Sequence, residues 1–596
     1  MEAIVLRREL SCAAAPSALF VVLADSDRLY RTLGQPAVLR EPIVGEGSAR
    51  FLLRARTGPK AIPFTELPPQ WNVPSLLVSK RVLHQGLVAS VATRFTLTPQ
   101  MQGTKLLIEM QLEPRIPQVG WLIRLYGQGT LWHLARTLLR IDEGLQRGAK
   151  TQQRLSSFVE PSLAVAVTKT KAALPTEDQP LVDSLLALLR RTDDLDIDAL
   201  RLSSLCESLG QGEASVLRLL LLGCAHGLLQ PSFDVLCPSC RSPASQHDHL
   251  SELSDESFCS LCELRVPVEF ASNVEVTFRP ALGIRPMSRP IYTSVNPSSS
   301  SHVLTQLVLP ASSSVQFHVP NEPGEFRLWA RGGASGVLKV STLGPQQASI
   351  TVTDSIVPAT VEVAMGGTLT IEHTTNQARH FKLERTEWNA QRLDGHKLTL
   401  QPLFRQLFPS EIPKPSVQLA VPSVALWQCE FASLGELCSA LGDAGAFRQL
   451  QELQQAVERA VESEQGAVLY SVTSGLSVAF ASAESALRAA IAAQRAVMTL
   501  RADNPFAHLL GMRLGLFAGA ASLVGQDRRL DYFGQTVAIC SRLTSEAHAG
   551  DILLPSSLLS LCESLPGVKA GPIFSIVGKG LSSAVAVSRL SVEPLT

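Results

Sequence analysis

Arg529-Leu530-Asp531-Tyr532-Phe533-Gly534-Gln535-Thr536-Val537, running on to Ser541-Arg542-Leu543, decides how the last third of this chain is read. It follows a strand pattern at Met512–Phe517 and leads through Gly534 into a helical pattern that starts at about Gln535. Outward from it, residues 424–593 keep an α/β order. A strand, Val424–Phe431, is followed by a long amphipathic helix from about Ser433 to Ser463. Next come a hairpin pattern over Val468–Phe480 and a helix over Ala483–Leu500. Beyond the quoted stretch lie the strand Ile552–Leu554 and a last segment, Ala584–Leu590.

The chain has 596 residues, which at ~100–200 residues per domain implies three to five domains. Lysine plus arginine and aspartate plus glutamate both total 53, and a zero net charge disfavours a large nucleic-acid surface. At 45% apolar and 18% charged residues the composition is globular. The longest apolar run, Ala214 to Leu229, is interrupted by Arg218 and His226 and is too short to span a bilayer. Charges occupy the N-terminal positions where a signal peptide would be apolar. Of the eleven cysteines, seven are scattered and read as reduced core thiols. These features lead us to expect a soluble, cytoplasmic protein.

Residues 1–160 read as a strand (Ile4–Leu10), an apolar-faced helix (Pro16–Leu23), several short strands including Leu77–Val82, Val88–Leu97 and Lys105–Leu112, and a long helix from Trp121 to Leu145. Leu122, Leu125, Leu134, Leu138, Leu139 and Ile141 are taken as that helix's apolar positions. This order, with Pro63-Phe64-Thr65-Glu66 and Gly103-Thr104 before a strand, resembles the START-like helix-grip domains. The resemblance implies a cavity between sheet and helix that holds an apolar small molecule.

Thr168 to Pro180 reads as a polar linker into a module spanning 175–270. Three helical patterns, Leu181–Arg190, Asp198–Ser208 and Glu213–Gly227, suggest a winged-helix-like unit. Between Leu181 and Gln230 seven acids outnumber four arginines, and that net negative charge repels phosphate. Cys237-x-x-Cys240 and Cys259-x-x-Cys262 follow, with eighteen residues between the pairs. Four thiolates from two tight turns suit a tetrahedral zinc at ~2.3 Å. Such a site has no open position, so the expected zinc is structural. Residues 271–408 read as a β-sandwich-like domain, with strands at Val274–Phe278, Ser313–Val319, Glu325–Ala330, Val337–Ser341, Ser349–Thr353 and Thr368–His373. Pro409 to Pro422 reads as the linker to the last domain, 420–593.

The last 170 residues resemble the class III adenylate/guanylate cyclases. The carrying residues are Leu441-Gly442-Asp443-Ala444-x-Ala446-Phe447, Gly515-Leu516-x-x-Gly519, the block opening at Arg529, and Gly578-Lys579-Gly580-Leu581. Upstream, Leu383-Glu384-x-x-x-Trp388 and Phe404-Arg405-x-Leu407-Phe408-x-Ser410-Glu411 resemble the regulatory region preceding some bacterial members. The resulting expectation is a multidomain α+β protein that joins a START-like domain, a helical module with a zinc ribbon, a β-sandwich-like domain and a nucleotidyl cyclase fold.

The resemblance implies attack of a ribose 3′-hydroxyl on the α-phosphate of ATP or GTP, assisted by two magnesium or manganese ions on two carboxylates. The first metal aspartate matches Glu430. The second, in a hairpin-tip Lys-Thr-Ile-Gly-Asp motif, matches Ser474, and the base-recognising lysine of that motif matches Tyr470. The ribose-orienting asparagine matches Ala538. Arg542 retains the phosphate-stabilising arginine, Asp531 the base-contacting acid and Lys579 the triphosphate-contacting lysine. Losing one transition-state donor costs ~10²–10³ in rate, and the combined losses imply ~10⁴ or more. The implied role is a catalytically degenerate homologue, paired with itself or with another cyclase-like chain in cyclic-nucleotide signalling. Two alternatives stand beside it: a weak adenylate cyclase making cAMP, and an apolar-ligand sensor or carrier.

Overall fold

A computed structural model describes residues 3–594 except 43–50, 58–59, 148–154, 240, 260–263, 287–291, 293–296, 301, 333, 387–391, 432–433, 473, 503–508, 527–528, 563–564 and 578–583. Among the described residues no helix is long and apolar enough to cross a membrane.

The N-terminal strand Ile4–Cys12 pairs antiparallel with Thr104–Pro114. Val88–Pro99, Leu76–Leu83, Lys60–Asn72, Phe51–Thr57 and Val38–Pro42 continue the sheet, with every neighbouring pair antiparallel. The 27-residue helix Gly120–Gln146 packs against its first strands. Gly127 lets it approach: a Cβ there would meet Leu112 Cδ1 at 2.5 Å and Leu6 Cδ1 at 2.7 Å. The buried Asp142 carboxylate fastens the far end by accepting from the backbone N–H groups of Ala13 and Ala14, both at 2.9 Å. Leu134, Leu138 and Ile141 face the core as expected. Leu122, Leu125 and Leu139 instead point to solvent, because the inward arc is taken by Ile123, Gly127 and Leu131.

The stretch read as a linker at Thr168 is part of a helix, Glu160–Ala173. Its Leu163, Ala166 and Thr170 are buried, so the turn lies later, before Gln179. Helices Gln179–Arg191, Leu202–Leu209 and Glu213–Ala225 follow. The module closes with a three-stranded sheet, Val274–Pro280 beside Leu229–Leu236 beside Pro243–His247. Val274–Phe278, read above with the sandwich, therefore belongs to this sheet. All seven residues of that strand are buried, a pattern that gives no clue to which sheet it joins.

Two sheets face each other over 303–385. Val303–Leu309, Arg379–Arg385, Gly324–Ala330, Ala334–Ser341 and Thr360–Ala364 form one. Ser313–His318, Thr368–His373, Gln347–Val352 and Ile356–Val357 form the other. Phe317, Phe326, Leu338, Ile350 and Phe381 fill the space between them. The first of these sheets is continuous with the N-terminal one. Asn72 pairs with Thr305 and Trp71 with Gln306, giving one twelve-stranded sheet. Trp71 Nε1 donates to the Val303 carbonyl at 2.9 Å across the joint, and Gln306 Nε2 to the Pro69 carbonyl at 2.7 Å.

The C-terminal sheet runs Ala467–Val472, Gly475–Phe480, Leu419–Phe431, Met512–Gln526, Asp551–Pro555, Val585–Val592, Val568–Ala570. Its second strand in sequence order continues the hairpin predicted above, while the first begins earlier than predicted, at Leu419. Pro422 is accommodated where the register with Met512–Gln526 shifts between Val421 and Val424, a place where a missing N–H costs nothing. One face carries Trp427, Val478, Phe480, Leu514 and Leu516 against the helices Leu434–Ser463 and Ala483–Ala502. The long helix bends at Gly442, whose φ of 68° is not helical. The opposite face, with Val424, Leu426, Leu469, Leu523, Leu530 and Tyr532, is fused into one core with the helical module and the segment around Leu398 and Phe404.

Candidate functional site

Side chains alternate along Leu419–Phe431, so Gln428 and Glu430 share the face of Leu426, the face covered further down by the chain's own helices. Glu430 stands opposite Gly475 on one neighbour and Arg513 on the other. Gly475 is obligatory, since a Cβ there would lie 2.0 Å from the Cys429 carbonyl oxygen. The hairpin tip is thereby drawn onto the strand, with Phe431 N–H donating to the Ser474 carbonyl at 2.7 Å. Glu430 and Ser474 are thus brought together at the same sheet end, as their sequence positions imply.

Arg513, which the sequence reading did not single out, engages the Glu430 carboxylate. Its Nε donates to Oε2 at 2.9 Å and its Nη2 to the same oxygen. A guanidinium in this position satisfies the carboxylate and repels an approaching divalent cation. The neighbouring Ser474 supplies no charge to offset that. Its signal in sequence is only the alternation of Met512–Phe517, which places Arg513 level with Glu430 once the two strands pair.

Tyr470 lies beside Gln428, within reach of the charge of Asp531. Tyr470 Oη accepts from Gln428 Nε2 at 3.2 Å, and burial, with the charge of Asp531 adding to it, holds the phenol above its usual range. Asp531 Oδ1 accepts from Tyr532 N–H at 2.7 Å. Burial pushes its carboxyl up, opposed by the Arg405 cation nearby. The strand Arg529–Phe533 carrying it is gripped by the upstream segment. Arg405 Nη1 donates to the Leu530 carbonyl at 2.8 Å and Nε to the Thr399 carbonyl at 2.6 Å. His396 Nε2 lies 2.8 Å from Tyr532 Oη. Phe404-Arg405 was singled out in the sequence, but this target was not legible there.

Burial, with Arg405 adding to it, pulls the His396 imidazole from 6.5 down to about 4. A base depressed in the folded state stabilises the fold fully above its unfolded value and stops doing so as pH falls through the folded one. The window is therefore pH 6.5 to about 4, and at ~1.4 kcal/mol per tenfold the loss is about 3 kcal/mol. Hydrogen exchange of the Arg529–Phe533 amides should rise steeply between these pH values beyond the intrinsic pH effect. A His396→Gln variant should flatten that rise, and an unchanged profile would show that the His396–Tyr532 contact does not hold this strand.

The helix Gln535–Glu546 rests on Met512–Gln526 through the two motif glycines. A Cβ on Gly515 would meet Thr544 N at 2.3 Å, and one on Gly519 the Thr536 Oγ1 at 2.8 Å. Leu543, Ile539 and Cys540 face inward. Ala538 is exposed and Arg542 half-buried on the other side, where Arg542 Nη2 pairs with Glu546 Oε1 at 2.6 Å. The ion-pair partner of Arg542 is thus Glu546, and that of Glu430 is Arg513. Lys579 lies outside the described residues.

Of the four cysteines expected to bind zinc, Cys237 and Cys259 are buried together in a small cluster with Val266. Cys237 opens a tight turn, its N–H donating to the Ser242 carbonyl at 3.0 Å while its carbonyl accepts from Arg241 N–H at 2.6 Å. Cys240 and Cys262 lie outside the described residues. Among the described residues no group of three metal-ligating side chains occurs.

A cavity of about 420 Å³ lies between the N-terminal sheet and the Gly120–Gln146 helix. Leu29, Leu77, Phe95, Met110 and Ile123 line it, with Arg81 and Glu66 as its charged pair, 2.9 Å apart.

A model of a family of unknown function, DUF5939, matches residues 168–301. No match was found among curated proteins. Solved structures similar to the chain include nucleotidyl cyclase domains, over 28–30% of its length. The guanylyl cyclase Cya2 is 16% identical with a TM-score of 0.26, over 29% of this chain and 93% of that one. The adenylate/guanylate cyclase/hydrolase from Silicibacter pomeroyi is 19% identical with a TM-score of 0.25, over 28% and 96%. The adenylyl cyclase CyaB from P. aeruginosa is 20% identical with a TM-score of 0.25, over 30% and 96%.

Proposed function

We propose that residues 420–593 are a class III cyclase-like domain that has lost its chemistry, and that the chain acts as a regulatory or dimerising partner in cyclic-nucleotide signalling. One observation carries this reading: the remaining metal-position carboxylate, Glu430, is held by Arg513, beside a serine where the second carboxylate is needed. Two cations would have to displace a guanidinium and then share one carboxylate. The retained Asp531 and Arg542 are engaged with Tyr532 N–H and with Glu546. A degenerate site of this kind can still take part in a pair of chains, since dimer contacts do not need the metals.

The test is product analysis by mass spectrometry after incubating the full chain with ATP or GTP and excess manganese. The expected result is no cyclic nucleotide above a Glu430→Ala/Arg542→Ala control. Product that depends on those two residues would make the protein a weak cyclase and overturn the reading.

The cavity favours a second role in the same chain, an apolar-ligand sensor. Its volume of about 420 Å³ falls in the ~300–1,000 Å³ range of small-molecule sites, and its walls are mainly aliphatic and aromatic. On this reading residues 1–160 are a START-like domain, and a structural zinc on Cys237, Cys240, Cys259 and Cys262 stiffens the module that follows it.

A further inference from the structure

The helix Gly120–Gln146 has a second apolar face that is turned to solvent. Trp121, Leu125, Trp132 and Leu139, at spacings of four and seven, fall on one stripe. Leu122 and Tyr126 lie beside it. All six are exposed, Trp121 to 71% and Tyr126 to 78%. Exposed apolar side chains are ordinary when scattered, but six on one helix form a patch of the kind that marks an interaction surface.

The charge around the patch says what it meets. From Arg115 to Arg147 the chain carries five arginines, at 115, 124, 136, 140 and 147, against two acids, Asp142 and Glu143. Asp142 is buried and engaged with Ala13 and Ala14, so Glu143 is the acid left on the exposed surface of this segment. Arg136 lies over the Trp132 ring at 5.3 Å. A second copy of the same face would set arginine against arginine. An anionic bilayer surface complements it, because arginine is drawn to the headgroup charge while tryptophan and tyrosine settle at the boundary with their polar tips in water.

Position adds a second argument. Tyr126, Thr130 and His133 of this helix also line the cavity. Tyr126 and His133 are exposed, so they mark its rim. Pressing the stripe onto a membrane brings that rim to the lipid boundary.

We infer that the outer face of the Gly120–Gln146 helix docks the chain peripherally on anionic lipid surfaces, through Trp121, Leu125 and Trp132 with Arg124 and Arg136. The docking stands whether or not the cavity holds a ligand, and whether or not the C-terminal domain turns over nucleotide.

The experiment is co-sedimentation of the full chain with vesicles of phosphatidylcholine containing about 30% phosphatidylglycerol, against pure phosphatidylcholine, with light scattering of the free protein alongside. The chain should pellet with the anionic vesicles and at most weakly with the neutral ones. Trp121→Ser/Leu125→Ser/Trp132→Ser and Arg124→Glu/Arg136→Glu should each weaken binding by at least ~10-fold. Both variants alter exposed positions, and an unchanged thermal melt confirms that they fold. Three outcomes overturn the inference: no pelleting with anionic vesicles, pelleting that neither variant changes, or a wild-type dimer that the serine variant dissociates. The last would assign the stripe to contact between copies.

Discussion

Replacing Arg285 with methionine should destabilise the helical module by about 3–5 kcal/mol. The guanidinium is completely buried and sits at the end of the helix Gln179–Arg191. Nη1 donates to the Leu189 carbonyl at 2.5 Å and Nη2 to the Thr192 carbonyl at 3.3 Å, with Asp194 Oδ1 as its charged partner. It thus satisfies carbonyls that a helix C-terminus leaves over and neutralises a buried acid at the same time. Methionine fills similar volume but abandons the Asp194 carboxylate, which among the described residues then keeps Ser156, at 3.1 Å from N–H and 2.5 Å from Oγ. The unpaired charge, more than the lost bonds, sets the size of the effect. Arg285→Met with Asp194→Asn should therefore recover most of the loss, because the amide oxygen still serves Ser156 without needing a counter-charge. Calorimetry of the two variants checks this. A single variant within ~1 kcal/mol of the wild type would show that the pair contributes little.

Trp71→Ala should cost about 3–5 kcal/mol and be felt on both sides of the joint where two sheets merge. Trp71 is 2% exposed, lies in the N-terminal core together with Val303, and donates to the Val303 carbonyl. Truncation leaves a void that neither sheet can close alone. Trp71→Phe keeps most of the buried area and strands one carbonyl, at about 1–3 kcal/mol. Hydrogen exchange at Val303–Leu309 separates the two: strong deprotection for alanine, mild for phenylalanine. Deprotection confined to residues before Asn72 would show that the sheets behave independently.

Much of the C-terminal fold was legible because its elements are long and its periods clean. The hairpin and the helices near Ala483 and Gln535 fall within a few residues of their expected places. The strand ahead of Pro422 was missed because a proline inside a run reads as a break, and only pairing with a neighbour shows the bulge that admits it. The helix carrying Thr168 was missed for a related reason. Its C-terminal half runs Thr168-Lys169-Thr170-Lys171 and reads as polar, while its buried positions are Leu163, Ala166 and Thr170, too few for period alone to outweigh that polarity.

The candidate site divides along the same line. Glu430, Tyr470, Ser474, Asp531, Ala538 and Arg542 could be named only through the resemblance of the surrounding stretches to a cyclase, which assigns each position its counterpart. Arg513 and His396 could not. Each acts on a residue far off in sequence, Glu430 and Tyr532, through a register that no local pattern records. The outward apolar stripe escaped as well. A helix apolar on two faces has a weak net amphipathic signal, and Leu122, Leu125 and Leu139 look no different from core leucines until the sheet takes one side.

The shared twelve-stranded sheet bears on how the chain can be divided. Phe51–Thr57 reaches along Lys60–Asn72 only as far as Thr65, leaving the Leu67–Asn72 half to be covered by Val303–Leu309. A fragment stopping short of residue 303 would carry that half as a bare, hydrogen-bond-hungry edge, and a fragment starting beyond it would present the matching edge on the sandwich. Each would tend to recruit a strand from another molecule. Pieces cut at the apparent boundary near residue 160 would clump on purification for reasons unrelated to their cores. Mixing the two complementary pieces should restore solubility, since each supplies the strand the other lacks.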